Sequence, residues 1–114
     1  MAVQRIYAHL SCSDLAASLP WFEALFAREP DARPMDGLAE WHHRDAAGLQ
    51  LFENPADAGR GTLTLIVEGL RDEHARLEKA GLRPGEVEAG DATSLVRLRD
   101  PDENLVVLAQ PRPS

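Results

Sequence analysis

The feature that most narrows how this chain can fold is an internal repeat. From Ile6 to Glu53 the pattern reads strand, helix, then further strands, and from Thr62 to Ala109 the same order returns. Tyr7 matches Thr62 at an offset of 55 residues, and Gln50 matches Val107 at an offset of 57. A duplicated unit of this kind reads as two similar modules whose sheets curve around a shared cleft. The expected fold class is α+β, built from two tandem βαβββ modules with curved mixed sheets. Module one spans about 4–54 and module two about 61–110, in one domain of 114 residues.

Local chemistry predicts the elements. Ile6 to Cys12 alternates as a strand, with Tyr7, His9 and Ser11 on one face. Ser13 or Asp14 is the expected N-cap of a helix running to about Ala27, with an apolar stripe of Leu15, Leu19, Phe22 and Phe26. Pro20 is tolerated only early in a helix, which predicts regular turns from near Ser18. Leu38 to His43 and Leu49 to Glu53 form a hairpin around RDAAG, and NPADAGRG links the halves. Thr62 to Val67 is the next strand, and Leu70 to Ala80 a helix with Gly81 just past its end. Arg83 to Glu88, Leu95 to Arg99 and Leu105 to Ala109 complete the set. The last strand follows a tight acidic turn, DPDEN, and its apolar run LVVLA predicts burial on both faces.

Composition excludes several classes. The net charge is −7 with no basic block, which argues against a nucleic-acid surface. Cys12 is alone, so no intrachain disulfide forms. No apolar run reaches membrane-spanning length and MAVQRIYAHL has no apolar leader core, so a soluble cytoplasmic protein without membrane partners is expected. There is no P-loop, GxGxxG, HxxxH or CxxC pattern.

Three stretches carry a resemblance: SDLAASLPWFEALFA, GTLTLIVEGLRDEHARLEKAG and DPDENLVVLAQ. In that order and spacing the chain resembles the vicinal oxygen chelate superfamily of glyoxalase I, extradiol dioxygenases, and fosfomycin and bleomycin resistance proteins. Metal-dependent members hold a divalent ion with ligands on the first and last strands of each module. The resemblance maps those positions onto Tyr7, Gln50, Thr62 and Val107. None is an imidazole or carboxylate, and a valine coordinates nothing, so no metal and no cofactor are expected. The superfamily usually has Gly where this chain has Glu103, which predicts a rearranged turn.

The resemblance implies a ligand-binding face of Tyr7, His9, Ser11, Gln50, Phe52, Thr62, Thr64 and Val107, with Ile66 beside them. Trp41 joins that face if it pairs with Gln50, or the helix-facing core if it pairs with Leu51. The expected function is metal-independent binding of a small organic ligand, a drug or metabolite, by a homodimer of the bleomycin-resistance type. The alternative is a metal-dependent lyase, isomerase or dioxygenase with a shifted site. That site would use His9 with His42 or His43, or His9 as a general base.

Overall fold

The computed structural model describes residues 1–112. Seven strands and two helices follow in the order β1 (Ile6–Cys12), α1 (Leu15–Phe26), β2 (Leu38–His43), β3 (Ala47–Glu53), β4 (Thr62–Ile66), α2 (Leu70–Lys79), β5 (Glu88–Ala89), β6 (Thr93–Arg99) and β7 (Leu105–Pro111). They build two mixed sheets, ordered β1-β3-β2 and β4-β7-β6-β5. In each, the first strand runs parallel to the last, and the remaining pairs are antiparallel. The architecture is α+β, as the repeat predicts. The short strand after each helix is nearly lost. In module one it is a single bridge between Ala32 and Glu40, and in module two it is the two residues of β5.

The repeat extends to the helix starts. An α-helix leaves its first N–H groups without partners. The Leu15 N–H donates to Glu53 Oε1 at 2.9 Å, and the Leu70 N–H donates to Gln110 Oε1 at 2.9 Å. In both modules a side chain from the last strand satisfies the first helical donor. Asp14 adds a further cap on α1, accepting from Ala16 N at 3.0 Å and Ala17 N at 3.4 Å. With these donors satisfied, α1 starts at Leu15 and runs through Pro20, three residues before the expected start near Ser18.

One face of each sheet packs against the helices. Leu10, Cys12, Trp41, Leu49 and Leu51 meet Phe22 and Leu25, while Leu63, Val96, Leu98, Val106 and Leu108 meet Leu70 and Leu77, and all belong to one apolar cluster. Trp41 lies in that core. The hairpin is tighter than expected, with β3 starting at Ala47 and Arg44 turning at φ 56°. His43 therefore pairs with Ala47 and Trp41 with Leu49. The fully buried indole packs 6.1 Å from the Phe22 ring and 5.5 Å from the Phe26 ring, and its Nε1–H donates to Arg28 O at 3.1 Å. Trp41 is thus not a cleft residue, because its strand parity turns it toward α1.

The DPDEN turn clasps the two modules. Asn104 is fully buried, and its amide nitrogen donates to Ser11 O at 2.9 Å and to Asp100 Oδ2 at 2.8 Å, while its oxygen accepts from Gly61 N at 2.8 Å. The Asp102 carboxylate accepts from the backbone N–H and hydroxyl of Ser13 and from the Ser18 hydroxyl. Module two thereby holds the end of β1 and the start of α1. Burial pushes the Asp100 carboxyl above its usual range even though it accepts from Asn104 and Asp102. Glu103 adopts φ 75°, as a glycine would, so the turn keeps its shape instead of rearranging. The Glu103 N–H donates to Asp100 O at 2.9 Å and holds that conformation. The helices are tied too: the Arg76 guanidinium of α2 donates to Ala24 O and Leu25 O, two carbonyls at the end of α1, where a cation suits the helix dipole.

Candidate functional site

The site is read from the face of the first sheet that points away from the helices. Strand register lines up three rows across it. Ser11, Phe52 and Leu38 form one row, His9, Gln50 and Glu40 the next, and Tyr7, Gly48 and His42 the third. Gly48 is essential to the third row. A Cβ there would lie 2.8 Å from Tyr7 Cε1 and 2.9 Å from Trp41 O, so only glycine lets the Tyr7 ring lie across β3.

That ring carries its hydroxyl to Glu40. Tyr7 Oη donates to Glu40 Oε1 at 3.2 Å, Gln50 Nε2 donates to Glu40 Oε2 at 2.9 Å, and His42 Nε2 lies 3.2 Å from Glu40 Oε1. A carboxylate only accepts, so the contact requires the proton of His42 on Nε2. Behind Gln50, the amide oxygen faces His9 Nδ1 at 3.4 Å. The amide nitrogen is already committed to Glu40, so His9 is the donor and its Nε2 is left with a free lone pair.

Glu40 is only 7% exposed. The Gln50 hydrogen bond holds its carboxyl below the usual range, outweighing desolvation, with His42 and Tyr7 assisting. The charge is covered by a thin layer of side chains and held by the Gln50 amide, the His42 imidazole and the Tyr7 hydroxyl. Arg5 belongs to the same surface, with its guanidinium carbon 5.9 Å from the Tyr7 ring centre and its buried Nη1 without a partner. Phe52 is half-buried, 6.0 Å from the His9 ring, and gives the cluster an apolar wall.

The structure gathers Tyr7, His9, Ser11, Gln50 and Phe52 on this face. Thr62, Thr64 and Val107 lie on the corresponding face of the second sheet, where Val107 sits between Thr64 and Arg97. Among the described residues, no hydrogen bond or ring contact joins them to the first group. His42 shares the face of His9, whereas His43 points to the helix side, 4.8 Å from the Phe26 ring, with burial lowering its pKa. Cys12 is fully buried among apolar side chains and its thiol is pushed up to about 11, first by burial, so it is no nucleophile. Sequence reasoning missed Glu40 and Arg5 as site residues. The signal was present in β2, since a core Trp41 forces Glu40 and His42 onto the opposite face. A separate crevice of about 1270 Å³ follows the seam between β1 and β4, and it shares only His42 and Gly48 with the cluster.

This architecture has close structural counterparts. A glyoxalase/bleomycin resistance protein from Catenulispora acidiphila superposes with a TM-score of 0.87 at 25% identity, covering 96% of this chain and 99% of its own. The chain has the glyoxalase/bleomycin resistance fold. Its resemblance to the vicinal oxygen chelate superfamily accords with that. Two further proteins of this fold are TnmS3, an antibiotic-binding protein from a Streptomyces, and a bleomycin resistance determinant encoded on transposon Tn5. TnmS3 has a TM-score of 0.83 at 19% identity, covering 98% of this chain and 99% of its own. The Tn5 determinant has a TM-score of 0.78 at 19% identity, covering 96% and 98%. No protein-family model matches the chain, and no curated protein matches it.

The resemblance maps the metal-ligand positions of metal-dependent members onto Tyr7, Gln50, Thr62 and Val107, and these side chains do not suit a divalent ion. The nearest substitutes are Glu40 and His42, and the His42 Nε2 proton is already directed at Glu40. Among the described residues no three His, Cys, Asp or Glu side chains are gathered as a metal would need. The donor set does not fit the group.

Proposed function

We propose that this chain binds a small organic molecule, a drug or a metabolite, on the outer face of its first sheet, without a metal ion and without chemical conversion. The observation that carries the reading is the cluster of Tyr7, His9, Glu40, His42 and Gln50 beside a half-buried Phe52. Few, well-placed polar groups against an apolar wall are what small-molecule sites offer. The similarity in fold to an antibiotic-binding protein and to a bleomycin resistance determinant points the same way. Thr62, Thr64 and Val107 on the second sheet would face the ligand from the other side of the cleft. We further propose a homodimer, supported by the exposed Ile6 and Ile66 on the outermost ends of β1 and β4. A cytoplasmic location fits the lone, buried thiol.

A thermal-shift screen of drug-like and metabolite compounds on chelator-treated protein tests the binding reading. A stabilising ligand whose effect survives the chelator is expected. Stabilisation that requires a divalent ion and disappears in His9→Ala would favour a shifted metal site and overturn the proposal. Light scattering at micromolar concentration tests the dimer, and a monomer mass would refute it.

A further inference from the structure

We infer that Glu40 is the anchor for a cationic group on the ligand, and that the ligand class is an aromatic molecule bearing a primary ammonium or an amidinium. The inference rests on the proposed binding face and names what that face selects.

Glu40 keeps an acceptor site unfilled. A carboxylate has about four acceptor sites. Glu40 uses two on Oε1, for the Tyr7 hydroxyl and His42 Nε2–H, and one on Oε2, for the Gln50 amide. One site on Oε2 is left. Its donors are a hydroxyl, an amide and an imidazole, and among the described residues no guanidinium or ammonium lies within ion-pair distance of it. Arg5, the nearby cation of this face, sits over the Tyr7 ring instead. A carboxylate whose side chain is nine-tenths buried is costly to hold without a counter-charge. Here it is retained among the Tyr7 hydroxyl, the Gln50 amide and the His42 imidazole, with one acceptor site still open. The missing partner is therefore a cation with an N–H to donate.

The apolar part of the ligand follows from the neighbouring row. Phe52 stands beside Gln50 on β3, across from Leu38, with the His9 ring 6.0 Å away. A flat aromatic body suits these walls, and its charged end reaches Glu40 one row over.

Benzamidinium and benzamide make a matched pair of probes, nearly equal in shape and different in charge. Titrate each into the wild-type protein and into Glu40→Gln, following backbone amide shifts by NMR. Benzamidinium is expected to bind roughly tenfold or more tightly than benzamide, the value of a hydrogen bond to a charged group. Its shifts are expected to centre on Glu40, His42 and Gln50, and Glu40→Gln is expected to erase the preference. Equal binding of both probes to the wild type would overturn the inference while leaving the binding face intact. The same holds for a preference that survives in Glu40→Gln. Silence from both probes would also overturn it, and the compound screen then judges the binding face independently. The wild-type comparison decides the matter even if Glu40→Gln fails to fold.

Discussion

Leu15 and Leu70 open their helices on the same device, an N–H held by a side chain from the last strand of the same module. The parallel pairing of first and last strands also repeats. The outer faces of the two sheets then part company. Module one carries a connected set from His9 through Gln50 and Glu40 to His42 and Tyr7. Module two carries Thr62, Thr64, Val107 and Ile66, the last 68% exposed, and its ion pair between Arg97 and Glu88 is exposed as well. At the position where module one has Gly48 opposite Tyr7, module two has Leu105 opposite Thr62. Duplication thus preserves the groups that build the backbone and lets the outward positions diverge. The connected polar groups are concentrated in one half.

The strongest way to break the comparison is to cut the clasp that lets the halves share a core. Asn104→Ala leaves Gly61 N and Ser11 O without a side-chain partner in a buried site. A loss of about 2–4 kcal/mol is expected from urea denaturation, since buried donors and acceptors are stranded. A change under about 0.5 kcal/mol, the scale of ordinary surface substitutions, would show that the modules are joined mainly by apolar packing.

Gly48→Ala comes next. The added Cβ meets both the Tyr7 ring and Trp41 O, and a cost of about 1–3 kcal/mol is expected. In a Tyr7→Thr background, which makes this pair resemble that of module two, part of the cost should be recovered. A double-mutant cycle reads the coupling directly. Strict additivity would mean that Trp41 O alone excludes the side chain.

The pH dependence separates the modules by sign. The folded pKa of Glu40 is lowered from 4.5, so its contribution is fully present above that value and is lost as pH falls through the lowered one. The folded pKa of Asp100 is raised from 3.8, so its contribution is present below that value and is lost as pH rises through the raised one. Urea melts across the acid range should therefore show Glu40→Gln losing less stability on acidification than the wild type. Gln50→Leu, which removes the leading cause, should move in the same direction. Steeper acid loss in either variant would reverse the assignment.

The smallest effect sharpens the comparison at the helix ends. Ala27 closes α1 at φ 57°, while Gly81 follows α2 at φ 83°. Ala27→Gly is expected to stabilise, and Gly81→Ala to destabilise, by up to about 1 kcal/mol each, because an L side chain is strained in the left-handed region. The same sign for both in thermal melts would contradict the role given to φ.

Much of the fold was legible because its signals are local. Alternation marked the strands, Asp14 capped α1, Gly81 followed α2, and DPDEN preceded the last strand. Similar offsets, 55 and 57 residues, tied the halves together. The short strand after each helix was poorly legible because almost no ladder is left to impose a pattern. Trp41 was illegible for a different reason: hairpin register depends on how the backbone turns at Arg44, and RDAAG permits several turns. That ambiguity hid Glu40 and left the choice between His42 and His43 open, since the parity of one strand decides all its side chains at once. The conformation of Glu103 was misjudged because two buried residues of its own turn, Asp100 and Asn104, the latter also held by Gly61 N, enforce what residue type alone disfavours.

The central claim is that binding belongs to the outer face of the first sheet and needs no metal. Backbone amide NMR on chelator-treated, tag-free protein, with a ligand from the compound screen, tests it most directly. The account predicts shifts concentrated on Tyr7, Glu40, His42 and Gln50, unchanged when divalent ions are restored. Shifts that appear only with added metal, or that centre on the β1–β4 crevice around Phe26 and Leu65, would contradict it.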